Sequence, residues 1–429
     1  MPDAVVHGTL PTGAAKEIGA TSDGRLEVDA DFSDSSVDAF GRLRVSNPLT
    51  LFDSSHRFAD NGLWNTSTAT GGSATFNAAQ GLVDLAVTSS SGSKVYRETT
   101  KVFSYQPGKS LLTLNTFVFG DAKTGLRQRV GYFGVSNGIY LELDGSTLYL
   151  CKRSCVSGAI VDTRISQSNW NIDKLDGSGP SGITLDITKA QIMWMDIEWL
   201  GVGTVRAGFA INNMFIHCHS FNHANIINST YITTASLPLR CEIENITATS
   251  GASTLKQVCS TVISEGGYEL RGLQQAASIA VDSPRTLGTA GTFYPIISIR
   301  LKTSPDRLDA IIILTAISAM AISTGNYNWQ VRASGTTTGG TWTDAGANSS
   351  VEYNRTGTSY AGGRVLASGF FNASNQSATS VDILKEALFK FQLERNSFTS
   401  TPYELTLVVA SDSSDDTILA SMDWEEISR

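Results

Sequence analysis

Tyr132-Phe133-Gly134-Val135-Ser136-Asn137-Gly138-Ile139-Tyr140-Leu141-Glu142-Leu143-Asp144-Gly145-Ser146-Thr147-Leu148-Tyr149-Leu150-Cys151 is the stretch that decides the fold. Three short runs rich in aromatic and aliphatic residues are separated by Asn137-Gly138 and Asp144-Gly145. Those pairs supply the positive φ that tight hairpin turns require, so the runs predict a β-meander. Outward from it, the same pattern predicts strands over residues 192–199, 204–211, 213–219 and 239–246, with Gly201-Val202-Gly203 closing another hairpin. So many alternating segments cannot bury their apolar faces in one layer, and a two-sheet sandwich spanning residues 46–270 is expected.

Residues 271–286, with Gln274, Gln275 and Pro284, read as a linker. A second sandwich is expected over residues 287–429, with strands at 293–301, 310–322, 327–333, 364–371 and 403–410. The Gly/Thr/Ser/Asn-rich residues 334–363 read as a long hairpin tip or loop pair. Val381 to Glu394 places Ile383, Leu384, Ala387, Leu388 and Phe391 at helical spacing, although alternation also fits its end. Residues 1–45 are polar and read as an extended docking arm. Within it Gly24-Arg25-Leu26-Glu27-Val28 recurs as Gly41-Arg42-Leu43-Arg44-Val45. The expected architecture is all-β: two tandem antiparallel sandwiches, of jelly-roll or lectin-like type, behind an arm.

The 429 residues are 41% apolar and 17% charged, a balance that excludes a disordered polyelectrolyte. A net charge of −8 leaves no footprint for a polyanion, so nucleic-acid binding is not expected. The uncharged run from Ala310 to Gln330 is too polar for a spanning helix and reads as buried strand, so no membrane insertion is expected. Pro2, Asp3 and His7 interrupt any apolar leader, which predicts synthesis in a cytoplasm. Cys151, Cys155, Cys218, Cys241 and Cys259 form no paired framework and read as reduced, core-filling thiols.

Several constellations invite a chemical reading. Gly134-Val135-Ser136-Asn137-Gly138 spells a nucleophile elbow, but a strand and not a helix follows it. Gly177-Ser178-Gly179-Pro180-Ser181-Gly182 spells a dinucleotide loop without the strand–helix context that such a loop needs. On a regular strand His217 and His219 share a face with His223 nearby, a spacing that could hold a metal, although the usual zinc spacings are absent. Asp196 and Glu198, between Trp194 and Trp199, are the best glycosidase candidates, because paired carboxylates and aromatics protonate and stack sugars. The plainer reading is alternation on a half-exposed strand, and Glu242 with Glu244 repeats it. Asn228-Ser229-Thr230 and Asn245-Ile246-Thr247 are glycosylation triplets that an Asn/Ser/Thr-rich chain produces by accident. Trp329, Trp342, Tyr353 and Tyr360 could form a glycan-contacting tip or simply pack. No residue is therefore assigned a catalytic, cofactor-binding or metal role, no cofactor is expected, and no enzyme activity is assigned.

Three stretches carry a resemblance. They are Asp38-Ala39-Phe40-Gly41-Arg42-Leu43-Arg44-Val45-Ser46-Asn47-Pro48 running on to Leu51-Phe52-Asp53-Ser54, then Phe221-Asn222-His223-Ala224-Asn225, and then Ser253-Thr254-Leu255-Lys256-Gln257-Val258-Cys259-Ser260-Thr261-Val262-Ile263-Ser264-Glu265-Gly266-Gly267-Tyr268. Together they resemble virion structural proteins of tailed bacteriophages and large DNA viruses, over about residues 23 to 270. The resemblance implies a lectin-like sandwich in a virion, as a tail, baseplate, fibre or capsid-surface component assembled in a host cytoplasm. Expected partners are further copies of the chain, as a homotrimer, other virion proteins and host surface glycans. A host-glycan-binding module and a sandwich-fold glycosidase are the alternatives.

Overall fold

The computed structural model describes residues 7–9, 15–17, 38, 47–267, 272–373 and 392–428. The arm's repeated segments and residues 381–391 of the expected helix lie outside the described residues. Residues 392–394 are not helical, and Gln392 bridges to Ile313.

The architecture is all-β and antiparallel, in face-to-face sheets. In the first sandwich one sheet runs, edge to edge, through Val161–Ser166, Thr147–Ser154, Gly138–Asp144, Leu126–Phe133, Leu239–Asn245, Lys94–Thr99 and Trp64–Ala69. The facing sheet runs through Met214–Phe221, Val205–Ile211, Gln191–Ile197, Leu111–Val118, Ser253–Ser264, Leu82–Val87 and Ser73–Asn77, with Leu49–Ser55 added beside Ser253–Ser264. The predicted meander is present. Gly138 has a φ of 144° and Gly145 one of 58°, and a Cβ on Gly138 would meet Phe133 at 2.1 Å, so glycine is required at that turn. Val130, Leu141, Leu150, Met195, Phe209, Leu255 and Val262 fill the space between the sheets.

A separate apolar cluster holds the second sandwich, around Ile297, Ile299, Leu314, Val331, Leu407 and Trp424. Its larger sheet runs through Trp342–Asp344, Val351–Asn354, Tyr294–Leu301, Glu404–Ser411, Asn326–Thr338 and Ser359–Asn372. Its smaller sheet is built on Asp416–Ser428, which pairs with Leu273–Ser278 and Arg285–Leu287 on one edge and Ile311–Ala321 on the other.

Two expectations are corrected here. The stretch 271–286 is not a plain linker: Leu273–Ser278 and Arg285–Leu287 are edge strands, and along Leu273–Ser278 burial alternates while Gln, Ala and Ser supply no stripe of large apolar side chains to mark it in the sequence. Residues 334–363 are not mainly loop. Asn326–Thr338 and Ser359–Asn372 extend into them and two further strands lie within, because threonine suits a pleated surface even without an apolar stripe.

Candidate functional site

The structure separates the histidines that the spacing grouped. His219 pairs with Ala207 and His217 with Gly208, so two neighbours on one strand face two alternate residues on the other and Cys218 is the extra residue of a bulge. Adjacent residues point to opposite faces, so His217 and His219 do too, which corrects the shared-face expectation. His217 meets the Ser220 hydroxyl at 2.9 Å and packs near Trp194 on the outer face. His219 accepts the Asn171 N–H at 3.2 Å through Nδ1 and lies edge-on to Phe221. His223 is fully committed elsewhere: Nδ1–H donates to the Gly203 carbonyl at 2.7 Å, Nε2 accepts from Lys152 at 3.1 Å, and the ring stacks on Tyr231. Among the described residues no group of three or more ligating side chains could hold a metal ion.

Burial, reinforced by His217, lowers the His219 pKa to about 4. Burial also brings His223 to about 4, the nearby Lys152 charge adding to it and the Gly203 hydrogen bond opposing it. In the unfolded chain both titrate near 6.5, so between pH 6.5 and 4 that state binds more protons and stability falls as pH drops. Urea midpoints are expected to decrease from pH 7 to pH 4.5, with a shallower decrease in His223→Gln. A midpoint that stays flat across that interval would refute the assignment.

Asp196 is fully buried and its carboxylate accepts from Arg206 at 2.6 Å across neighbouring strands. Glu198 is equally buried, beside Tyr105 and Tyr231, whose hydroxyl pKa values it raises along with burial. Neither carboxyl lies on an open face, so the pair is not arranged around a sugar-sized space. Glu242 and Glu244 belong to a lattice on the outer face of the first-described sheet. Lys94 reaches Glu242 at 2.7 Å and Glu244 at 3.1 Å, Arg129 reaches Glu142 at 2.6 Å, Arg127 pairs with Glu244, and Arg240 pairs with both Glu98 and Glu242. Guanidiniums lie over rings in the same layer: Arg164 over Tyr149 at 4.0 Å, Arg240 over Tyr96 at 4.1 Å, and Arg153 over Tyr140 at 5.3 Å. Burial pushes the Glu242 carboxyl up, but Arg240, Arg129 and Lys94 outweigh it and hold the pKa at about 2. Such a group stays ionised and cannot protonate a leaving oxygen near neutral pH.

Ser136 sits in the turn after Leu126–Phe133, where Gly134 N–H donates to the Asn137 carbonyl at 2.9 Å, with a strand following as expected. Gly177 to Gly182 form a loop whose Gly177 N–H donates to the Ile183 carbonyl. Trp329 lies in the second core against Gly369, while Trp342 lies under Arg300 at 3.9 Å; these aromatics pack and do not converge on one tip. All five cysteines are free, three of them buried.

The sequence reading missed how the resembling stretches meet. Leu49–Ser55 pairs antiparallel with Ser253–Ser264, Val262 opposite Phe52 and Ser260 opposite Ser54. Their polar side chains are used inside the fold: Thr261 donates to the Phe52 carbonyl at 2.8 Å, Ser260 to Asn115 at 2.9 Å, and Gln257 accepts from Arg97 at 2.9 Å. Also unpredicted is the seam between the sandwiches. There Lys101 pairs with Glu394 at 2.8 Å, Ser397 donates to the Thr99 carbonyl at 2.6 Å, and Arg395 and Thr234 both bind Asp309.

No protein-family model matches this sequence, and a search of curated proteins finds no match. Among solved structures the chain is similar to the carbohydrate recognition domain of Emp47p, with 12% identity and a TM-score of 0.33 over 50% of this chain and 96% of that one. A legume lectin-like domain from Entamoeba histolytica gives 7% identity and a TM-score of 0.31 over 50% and 97%. The CBM2 module of an evolved Dit from Lactobacillus casei BL23 phage J-1 gives 7% and 0.32 over 52% and 99%. Likenesses this loose transfer no property to the present chain.

Proposed function

We propose that this chain is a structural, adhesive component of a virus particle, of the tail, baseplate, fibre or capsid surface, present in multiple copies. The observation that supports this reading is the pairing of Leu49–Ser55 with Ser253–Ser264. Parts of the two longest stretches that resemble virion proteins lie side by side there, and their polar groups join strands and sheets. The resemblance thus falls on residues that build a stiff sandwich, and function would then lie in what its surfaces contact. The first of these stretches is continuous with the N-terminal segment, so a docking arm would enter the particle directly from the sheet. Multiple copies would turn weak individual contacts into firm attachment by raising the effective concentration of the second and later contacts.

Removing residues 1–37, which leaves the buried Asp38 in place, tests this. The shortened chain is expected to keep its melting temperature and to be lost from assembled particles. Normal incorporation of the shortened, folded chain would contradict the docking role.

A further inference from the structure

A hollow of about 330 Å³ opens between the two sandwiches, on one side of the contact between Thr234 and Asp309. A second, of about 410 Å³, shares that contact as a wall. The size is that of ordinary small-molecule sites, and the walls of the first differ in character. From the first sandwich comes Trp199, half-buried, its indole fixed by donation from Nε1 to the Ile232 carbonyl at 3.2 Å. Tyr105 stands edge-on to it, ring centroids 6.2 Å apart at 88°, so this wall is a rigid aromatic corner.

The facing wall is a tight turn of the second sandwich. Asp306 is exposed; one of its carboxylate oxygens accepts the Leu308 N–H at 3.0 Å, which fixes the side chain and leaves the other oxygen to accept. Arg307 is exposed as well. Its Nη1 donates to the Asp306 carbonyl at 3.2 Å, and among the described residues no carboxylate lies within ion-pair distance of it.

We infer that this hollow binds a pyranose unit of a glycan, the ring against Trp199 and Tyr105 and a pair of ring hydroxyls on Asp306 and Arg307. A pyranose has an apolar C–H face and an edge of neighbouring hydroxyls that both donate and accept. An aromatic corner opposite one planar acceptor and one planar donor group matches both features. The second hollow, beyond Asp309, gives room for the next unit of the chain. This inference rests on the adhesive reading above and names what would be adhered to.

The test uses the full chain on a panel of immobilised glycans, followed by titration of a bound oligosaccharide monitored by tryptophan fluorescence. Inorganic phosphate serves as a separate probe of Arg307. Arg307→Ala and Asp306→Asn, both at exposed positions, are expected to keep the melting temperature and each to weaken glycan binding by about tenfold or more. Trp199→Phe is expected to remove the fluorescence change. Glycan binding unaltered in both turn variants would overturn the location. A panel with no bound glycan, or phosphate binding that is lost in Arg307→Ala while no sugar binds, would overturn the ligand. Those failures leave the particle role standing, because incorporation into particles is read without any sugar.

Discussion

Arg97→Ala is expected to lower the unfolding free energy of the first sandwich by about 3–5 kcal/mol, read as a drop in the urea midpoint at constant slope. The side chain projects from Lys94–Thr99 into the space between the sheets, opposite Cys241, and is completely buried. Its guanidinium donates to both oxygens of Asp60 at 2.6 and 2.7 Å, to Gln257 at 2.9 Å and to Thr66 at 3.0 Å. It therefore ties one sheet to the central strand of the other. Truncation leaves the Gln257 side chain buried without its donor and opens a cavity as well. Asp60 is 43% exposed and can rehydrate, which keeps the cost from running higher. Arg97→Lys is expected to fall between, because one ammonium cannot span three partners. A wild-type midpoint in Arg97→Ala would show that Gln257 is not held for this purpose, and would weaken the structural reading of the stretch that contains it.

Trp424→Ala is expected to cost about 3–5 kcal/mol in the second sandwich. Trp424 is completely buried on Asp416–Ser428, the strand that holds the smaller sheet together. Its Nε1–H donates to Glu426 at 3.2 Å, a buried carboxylate that also accepts from Ser349 and from the Ser350 N–H at 2.8 Å. Because the two apolar clusters are distinct, calorimetry should show one transition lowered by about 10 °C and the other in place. A single transition moving as a whole would show that the seam contacts fuse both cores into one cooperative unit.

The hairpins were legible because each depends on local chemistry, a glycine or asparagine at positive φ between two β-rich runs. Bulges were not. Along Ser253–Ser264 the buried positions are Ser253, Leu255 and Gln257, then Ser260, Val262 and Ser264, so the inward parity changes where the pairing shifts between Gln257 and Cys259. The same device at Cys218 undid the expected histidine pair. Such a shift depends on partner strands distant in sequence, which period-two reading does not see. Glu242 and Glu244 read as alternation on a half-exposed strand, yet Glu242 is buried within its lattice of cations, since alternation reports polarity and not burial. Arg97 broke the pattern outright by placing a charge at an inward position. The hollow lined by Tyr105, Trp199 and Asp306 has no linear signature, its walls coming from chain segments joined only by the fold.

The central claim is that the chain works as a packaged, multi-copy building element. Quantitative mass spectrometry of particles gradient-purified from a lysate of cells producing the chain tests this most directly. The chain is predicted to co-sediment with the particles at a fixed ratio of several copies to each. Its absence from the particle fraction, with all of it recovered as free monomer, would contradict the claim.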